Sequence, residues 1–190
     1  LGDDVDLRRL FGDGRPVELE IGCGKGGFLL RRAEARADRN FVGIEWANKF
    51  FKYAADRMAR WNMTNVRIMR TDASHLVRTH LPPACLTAIH VYHPDPWPKK
   101  RHHKRRLIQP DFIEAAVRVM TPNARLAIQT DHAEYYDHIR EVVLANNAFT
   151  EVAFDDEQSN GDNRTIKTNF AIKYLKEGRP IYNLAVIKIP

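Results

Sequence analysis

Cysteine is almost missing: the 190-residue chain has two, Cys23 and Cys85, far apart and outside any CxxC or Cys/His spacing. That pattern excludes a disulfide framework and a zinc site, so no metal is expected, and the expected compartment is the reducing cytoplasm. Long apolar runs are missing too. No stretch approaches the roughly 18 residues a membrane helix needs, and the N-terminus lacks the basic-then-apolar pattern of a signal peptide. A soluble protein with no membrane partner is expected. The chain opens at Leu1 rather than Met, so N-terminal residues are expected to be missing. Internal repeats, linkers and low-complexity tracts are absent apart from one basic run. The length therefore reads as one domain over 1–190, with 44% hydrophobic residues to build its core.

Positive charge is present in excess, but only locally. The formal charge is +6, and residues 99–106, "KKRHHKRR", hold six Lys/Arg and two His with no acid. Outside that run, Lys and Arg equal Asp and Glu in number. Such a concentration points to an anionic partner gripped at one place, nucleic acid first among the candidates.

β-Branched and apolar segments alternate with longer helical patterns. Strands are predicted at "PVELEIG" (16–22), "NFVGIE" (40–45), "NVRIMRT" (65–71), "LTAIHVYH" (86–93), "ARLAIQT" (124–130) and "IYNLAVIK" (181–188). Helices are predicted over "KGGFLLRRAEARAD", "NKFFKYAADRMARWN", about 110–120 and about 132–145, with a short helical pattern before the last strand. After "AFTEVAF" (148–154) comes a polar loop, "DDEQSNGDNRT". This alternation argues an α/β fold, a mostly parallel sheet with helices on both faces, whose ligands bind at the carboxyl ends of the strands.

"LEIGCGKGGF" (19–28) places four glycines between a strand and a helix, where the backbone can turn tightly and approach a ligand. Gly22, Gly24 and Gly27 satisfy GxGxxG, and Glu45 ends the second strand where a ribose-binding acid belongs, so the pattern alone leaves a dinucleotide site open. Glu20 discriminates. Its carboxylate beside the loop would repel a pyrophosphate, whereas S-adenosylmethionine has no phosphate and carries an ammonium group. With Glu45 on the ribose hydroxyls and Asp72 on the adenine side, three acids at successive strand ends favour that sulfonium cofactor. Asp72, before "ASHL", is equally placed to cap a helix.

"HPDPWP" (93–98) sets Asp95 between two prolines that fix φ and remove donors, which favours an aimed side chain over a mere rigid turn. "LEIGCGKG", "FVGIE", "DPWPKKRHHKRR", the Thr-Asp pair at 130 and 131, and "TNFAIKYLKEGRPIYNL" resemble, in order, the motifs of the tRNA (guanine-N7-)-methyltransferase family. The likeness covers nearly the whole chain. It implies a Rossmann-like class I methyltransferase with a seven-stranded, mostly parallel sheet and an antiparallel last strand. It also implies methylation of the guanine at position 46 in the tRNA variable loop, by a monomer or homodimer. Carried across, the motifs put Glu20, Gly22, Gly24, Glu45, Asp72 and Asp95 on the cofactor, with Asp95 catalytic. Lys99, Arg101, Lys104, Arg105, Asp131 and Thr168 fall to RNA or guanine.

The chain departs from the family twice. Ala171 stands where the closing Thr-x-x-Glu motif has its acid, and His93 replaces a more usual aromatic or apolar residue. Guanine N7 has a lone pair and no proton to lose, so positioning should dominate, with Asp95 and Asp131 stabilising the shift of positive charge and recognising the base. Asp131 also fits a helix N-cap. All six cations of the run, Arg106 included, are expected on phosphates. Rival readings are a methyltransferase of an exocyclic base amine, since "DPW" resembles the Asn/Asp-Pro-Pro-aromatic signature, a nicotinamide-dependent oxidoreductase, and a tRNA-binding module with weakened catalysis.

Overall fold

The computed structural model describes residues 5–154 and 177–190. Among these residues seven strands form one sheet: β1 (Val17–Ile21), β2 (Asn40–Ile44), β3 (Val66–Met69), β4 (Leu86–Tyr92), β5 (Met120–Thr130), β6 (Phe149–Val152) and β7 (Tyr182–Lys188). Their order is β3-β2-β1-β4-β5-β7-β6. β7 pairs antiparallel with both β5 and β6, and the other pairings are parallel, as the sequence reading expects. Among the described residues five α-helices join them: α1 (Gly27–Ala35), α2 (Asn48–Arg60), α3 (Ala73–Thr79), α4 (Pro110–Val119) and α5 (Ala133–Leu144). The expected loop at 155–165, the helical pattern before β7, Thr168 and Ala171 lie outside the described residues.

β1 and β2 are buried along their whole length, β1 even though Glu18 and Glu20 alternate with its apolar Val17, Leu19 and Ile21. One face carries α1 and α2, through Leu29, Leu30, Phe41, Met58 and Val66. The other carries α3, α4 and α5, through Leu76, Val77, Phe112, Ile113, Tyr135 and Ile139. α4 opens with Pro110 at its start and Asp111 in its first turn, both favourable where helix N–H groups lack partners. α3, seven residues long, was not among the predicted helices; its start was legible only as the Asp72 cap, whose side chain accepts from the His75 N–H at 2.9 Å.

Strand order reverses between β1 and β4, opening a crevice at their carboxyl ends. A buried polar network braces it from below. Glu18 on β1 lies 3.1 Å from Arg32 Nε of α1, 3.2 Å from Arg39 Nη1 and 2.9 Å from His90 Nε2 of β4. His90 Nδ1 is in turn 3.1 Å from the Tyr92 hydroxyl. Burial opposes ionisation of Glu18, but hydrogen bonding and charge from His90 and Arg32 outweigh it and lower its pKa to about 2.

α1 can lie this close to the sheet because β2 carries Gly43. A Cβ there would collide with the Leu29 side chain and come within 3.0 Å of Cys23 Sγ and 3.1 Å of Ile68 Cδ1. Gly43→Ala is therefore expected to destabilise the protein by about 1–3 kcal/mol, as overpacked core sites do. Urea denaturation checks it, and an unchanged midpoint would show that Leu29 and Cys23 repack freely.

Candidate functional site: a glycine turn, a buried glutamate and an aimed aspartate

The turn after β1 needs glycine. Gly22 and Gly24 have φ of +77° and +53°, and a Cβ on either would face open space rather than protein. The N–H groups of Gly22 and Cys23 both donate to the Ile44 carbonyl, at 2.8 and 3.0 Å, tying the turn to β2. Glu45 completes the tie. Its Oε2 accepts from the Gly24 N–H at 2.9 Å and its Oε1 from the Ala47 N–H at 2.7 Å, so one carboxylate joins the glycine turn to the start of α2. Each oxygen keeps a further lone pair for a ligand hydroxyl.

Glu20 lies at the base of this turn, 4% exposed, and its Oε2 has no hydrogen-bond partner among the described residues. Burial, with the Glu45 charge adding to it and Arg31 opposing it, raises its pKa to about 8. The repulsion of pyrophosphate expected from the sequence requires Glu20 to be a fixed negative charge. Desolvation changes that: the ligand-free carboxyl is largely protonated at neutral pH, and a cationic ligand would ionise it.

Asp95 is exposed on a turn held from several sides. His93 and Trp97, four residues apart, both have left-handed backbones, φ +52° and +44°, around the Pro-Asp-Pro core. The His93 N–H donates to the Gln129 carbonyl at 2.7 Å. Arg106 grips the far side: its Nε donates to the Pro96 carbonyl at 2.9 Å, its guanidinium meets both Glu134 carboxylate oxygens, and it lies 4.7 Å over the Tyr135 ring. Arg106 is 3% exposed and so unavailable to phosphate, which corrects the sequence reading of the basic run. Lys99, Lys100, Arg101, Lys104 and Arg105 remain exposed, on and beside a 3-10 helix (Lys100–Arg105) that the sequence reading did not assign. Arg105 lies 5.0 Å over the Trp97 ring, so the helix folds back on the turn.

Asp131 follows β5. His132, not Asp131, caps α5, its Nδ1 accepting from the Tyr135 N–H at 3.3 Å, so capping is not Asp131's role. Asp131 instead lies 3.6 Å from His93 Nδ1 and 3.5 Å from Arg179 Nη1. Gln129 donates its amide to Asn183 Oδ1 at 2.8 Å, which leaves its oxygen to accept from His93 Nε2 at 3.1 Å and fixes the histidine tautomer. Burial lowers the His93 pKa against the pull of Asp131. Sequence reasoning missed Arg179 and the histidine's part, and gave Arg106 the wrong one. The departure noted at His93 was the available signal for the second.

This strand order, a glycine turn between β1 and α1, and acids ending β1 and β2 define a methyltransferase of the Rossmann-like class. A family model described as "Putative methyltransferase" matches residues 14–184. The chain is 33% identical to a tRNA (guanine-N(7)-)-methyltransferase of Alkalilimnicola ehrlichii, over 96% of this chain and 77% of the relative. It is 41% identical to one from Streptomyces coelicolor, over 76% of this chain and 54% of the relative, so it spans about half the length of the latter. A SAM-dependent methyltransferase from Aquifex aeolicus shares the fold, with TM-score 0.60 at 13% identity, covering 96% of this chain and 88% of that one. The chain belongs to the tRNA (guanine-N(7)-)-methyltransferase family.

Membership implies S-adenosylmethionine as methyl donor, and the residues fit it. Gly22 and Gly24 leave space that side chains would fill, Glu45 retains acceptors for ribose, and the partnerless Glu20 oxygen suits an ammonium.

A carboxyl whose folded pKa is raised makes the folded state bind more protons than the unfolded one. Its contribution therefore turns unfavourable as pH climbs from the ordinary 4.5 through about 8. Glu20→Gln is expected to match the parent near pH 5 and to exceed its Tm by a few degrees at about pH 8, while weakening S-adenosylhomocysteine binding about tenfold or more. Thermal melts across pH and calorimetric titration check both. A uniformly lowered Tm would mean that Glu20 has partners in the fold.

Proposed function

We propose that this protein transfers the methyl group of S-adenosylmethionine to N7 of the guanine at position 46 in the tRNA variable loop. It does so as a single methyltransferase domain, monomeric or homodimeric, in the cytoplasm. The observation that carries the reading is the pairing of a buried carboxyl at the β1 turn, whose Oε2 has no hydrogen-bond partner among the described residues, with an exposed, rigidly mounted aspartate after the adjacent strand β4. Among the described residues no helix is long and apolar enough to cross a membrane.

When bound, S-adenosylmethionine supplies a methyl group on a sulfonium, electrophilic towards an in-plane lone pair. Guanine N7 needs no deprotonation, so the protein's task is to orient the purine and exclude competing poses. Glu20 holds the donor's ammonium and Glu45 its ribose hydroxyls, while Asp72, besides capping α3, lies on the adenine side. Asp95 accepts from the guanine N1–H and exocyclic amine, an arrangement adenine does not offer. Asp131, held 3.5 Å from Arg179 Nη1, joins it in stabilising the positive charge that develops on the ring. Thr168 is assigned to the same substrate on the family motif alone. Lys99, Arg101, Lys104 and Arg105 bind phosphates and supply salt-dependent affinity; Arg106 mounts the turn instead.

The test is incubation with unmodified tRNA and labelled S-adenosylmethionine, followed by chain scission at 7-methylguanine. Scission at one variable-loop guanine is expected. Label on a base amine would support the exocyclic-amine reading, and tRNA binding without transfer would support a binding protein of weakened catalysis. Asp95→Ala is expected to abolish turnover with tRNA affinity kept within a few-fold. Lys99→Ala and Arg101→Ala should instead raise the tRNA KM and each lower the salt slope of binding by about one. Equal loss of binding in all three variants would contradict this division.

A further inference from the structure

The mechanism leaves one prominent surface without a task. Trp46, Phe50 and Tyr53 are 67%, 39% and 45% exposed, an unusual outlay of large aromatic side chains on water. Phe50 and Tyr53, three residues apart, share one side of α2, and Trp46 lies just before the helix begins. Cations share that side: on the helical wheel Arg57 falls between Phe50 and Tyr53 and Lys49 beside Tyr53, and Lys25 of the glycine turn reaches across to lie 5.6 Å over the Tyr53 ring. Arg57 donates to the Lys25 carbonyl at 3.3 Å, so helix and turn make one continuous surface. α2 as a whole has four Lys/Arg against one acid, Asp56, and that acid is already paired with Arg60 at 2.8 Å.

We infer that this face of α2 is a second RNA-binding surface, on which unpaired nucleobases stack on Trp46, Phe50 and Tyr53 while Lys49 and Arg57 meet the flanking phosphates. Aromatic faces interleaved with cations suit single-stranded nucleic acid, because every base has a π-face and every linkage a negative charge. Charge argues against an isologous contact with a second copy of this chain, in which this basic face would meet itself. Topology supplies the continuity. β1 lies between β2 and β4 in the sheet, so the start of α2 and the basic 3-10 helix flank the β1 crevice on opposite sides, both at the strands' carboxyl ends. An RNA delivering a base into that crevice is then held on each side of it. The inference rests on the tRNA reading above for the identity of that RNA.

Tyr53→Ala combined with Phe50→Ala, and separately Lys49→Ala, are to be compared with the parent for binding of the unmodified tRNA across a salt series. S-adenosylhomocysteine titration, Tm, sedimentation and methyl transfer accompany them. The aromatic pair is expected to weaken tRNA binding at least tenfold with the salt slope, kcat and S-adenosylhomocysteine affinity unchanged. Lys49→Ala should lower the slope by about one. Tyr53→Trp, which keeps a stacking face, should restore most of the affinity when Phe50 is intact. Unchanged tRNA affinity in the double variant, alongside a parent that methylates tRNA, would overturn this inference and leave the proposed function standing. So would a change in sedimentation, which would make the face a contact between copies, or an equal loss of donor-product affinity. A parent that transfers no methyl group yet binds tRNA through these aromatics would leave this inference standing and sink the other.

Discussion

Burying a carboxylate costs several kcal/mol unless partners replace the water it loses, and β1 buries two, Glu18 and Glu20, one pleat apart on the same face. Their fates are opposite. Glu18 meets Arg32, Arg39 and His90 and is held ionised, its pKa lowered to about 2, although burial works against it. Glu20 meets no donor at Oε2 and is pushed to about 8. The first anchors α1 and β4 to β1, which fixes the turn between β1 and α1. The second stands at that turn, where the fixed frame keeps its neighbours from closing on it. Rigidity below is what allows an unsatisfied group above. An unsatisfied acid on a mobile loop would simply rotate into water.

The Asp95 turn applies the same logic by other means. Proline at 94 and 96 narrows the backbone, yet proline alone does not account for two non-glycine residues in left-handed conformations at 93 and 97. The strain persists because the contacts over-determine the turn. β5 takes the His93 N–H, Arg106 takes the Pro96 carbonyl, and the Trp97 ring is covered by Arg105. The basic run therefore divides within itself, its last residue turned into the protein and the others left to solvent. Glu134 makes this possible, since a buried guanidinium without a carboxylate could not be tolerated there.

Much of the frame was legible because its signals are local. β1 runs into a glycine, Gly22, and β2 into a glutamate, Glu45, and each helix of ten or more residues shows its period. The short α3 has too few residues to show one, and only its aspartate cap stood out. What failed to read is long-range. Nothing near position 106 distinguishes that arginine from the five cations before it; its partner lies 28 residues away on α5. The cap of α5 turned on a single position, Asp131 or His132, and either side chain has the acceptor for it. Burial of Glu20 could be foreseen from its place in a strand. Its lack of a partner could not, since Glu18 has the same sequence context and three.

The contrast between Glu20 and Asp95 bears on how one site could serve two ligands of opposite charge. Glu20 is desolvated before anything binds, so a cation entering the turn gains from an acid whose dehydration the fold has already imposed. Asp95 is hydrated until a base arrives, and its dehydration falls on the binding event itself. A purine that returns donors to that carboxylate offsets the loss; one that presents an acceptor leaves an ion stripped of water and unpaired, which is the costlier outcome. Discrimination at an exposed acid therefore comes from penalising the wrong base rather than from rewarding the right one. It also requires that the acid cannot swing aside to stay wet, and that is the work of Arg106, the two prolines and the strained residues around them.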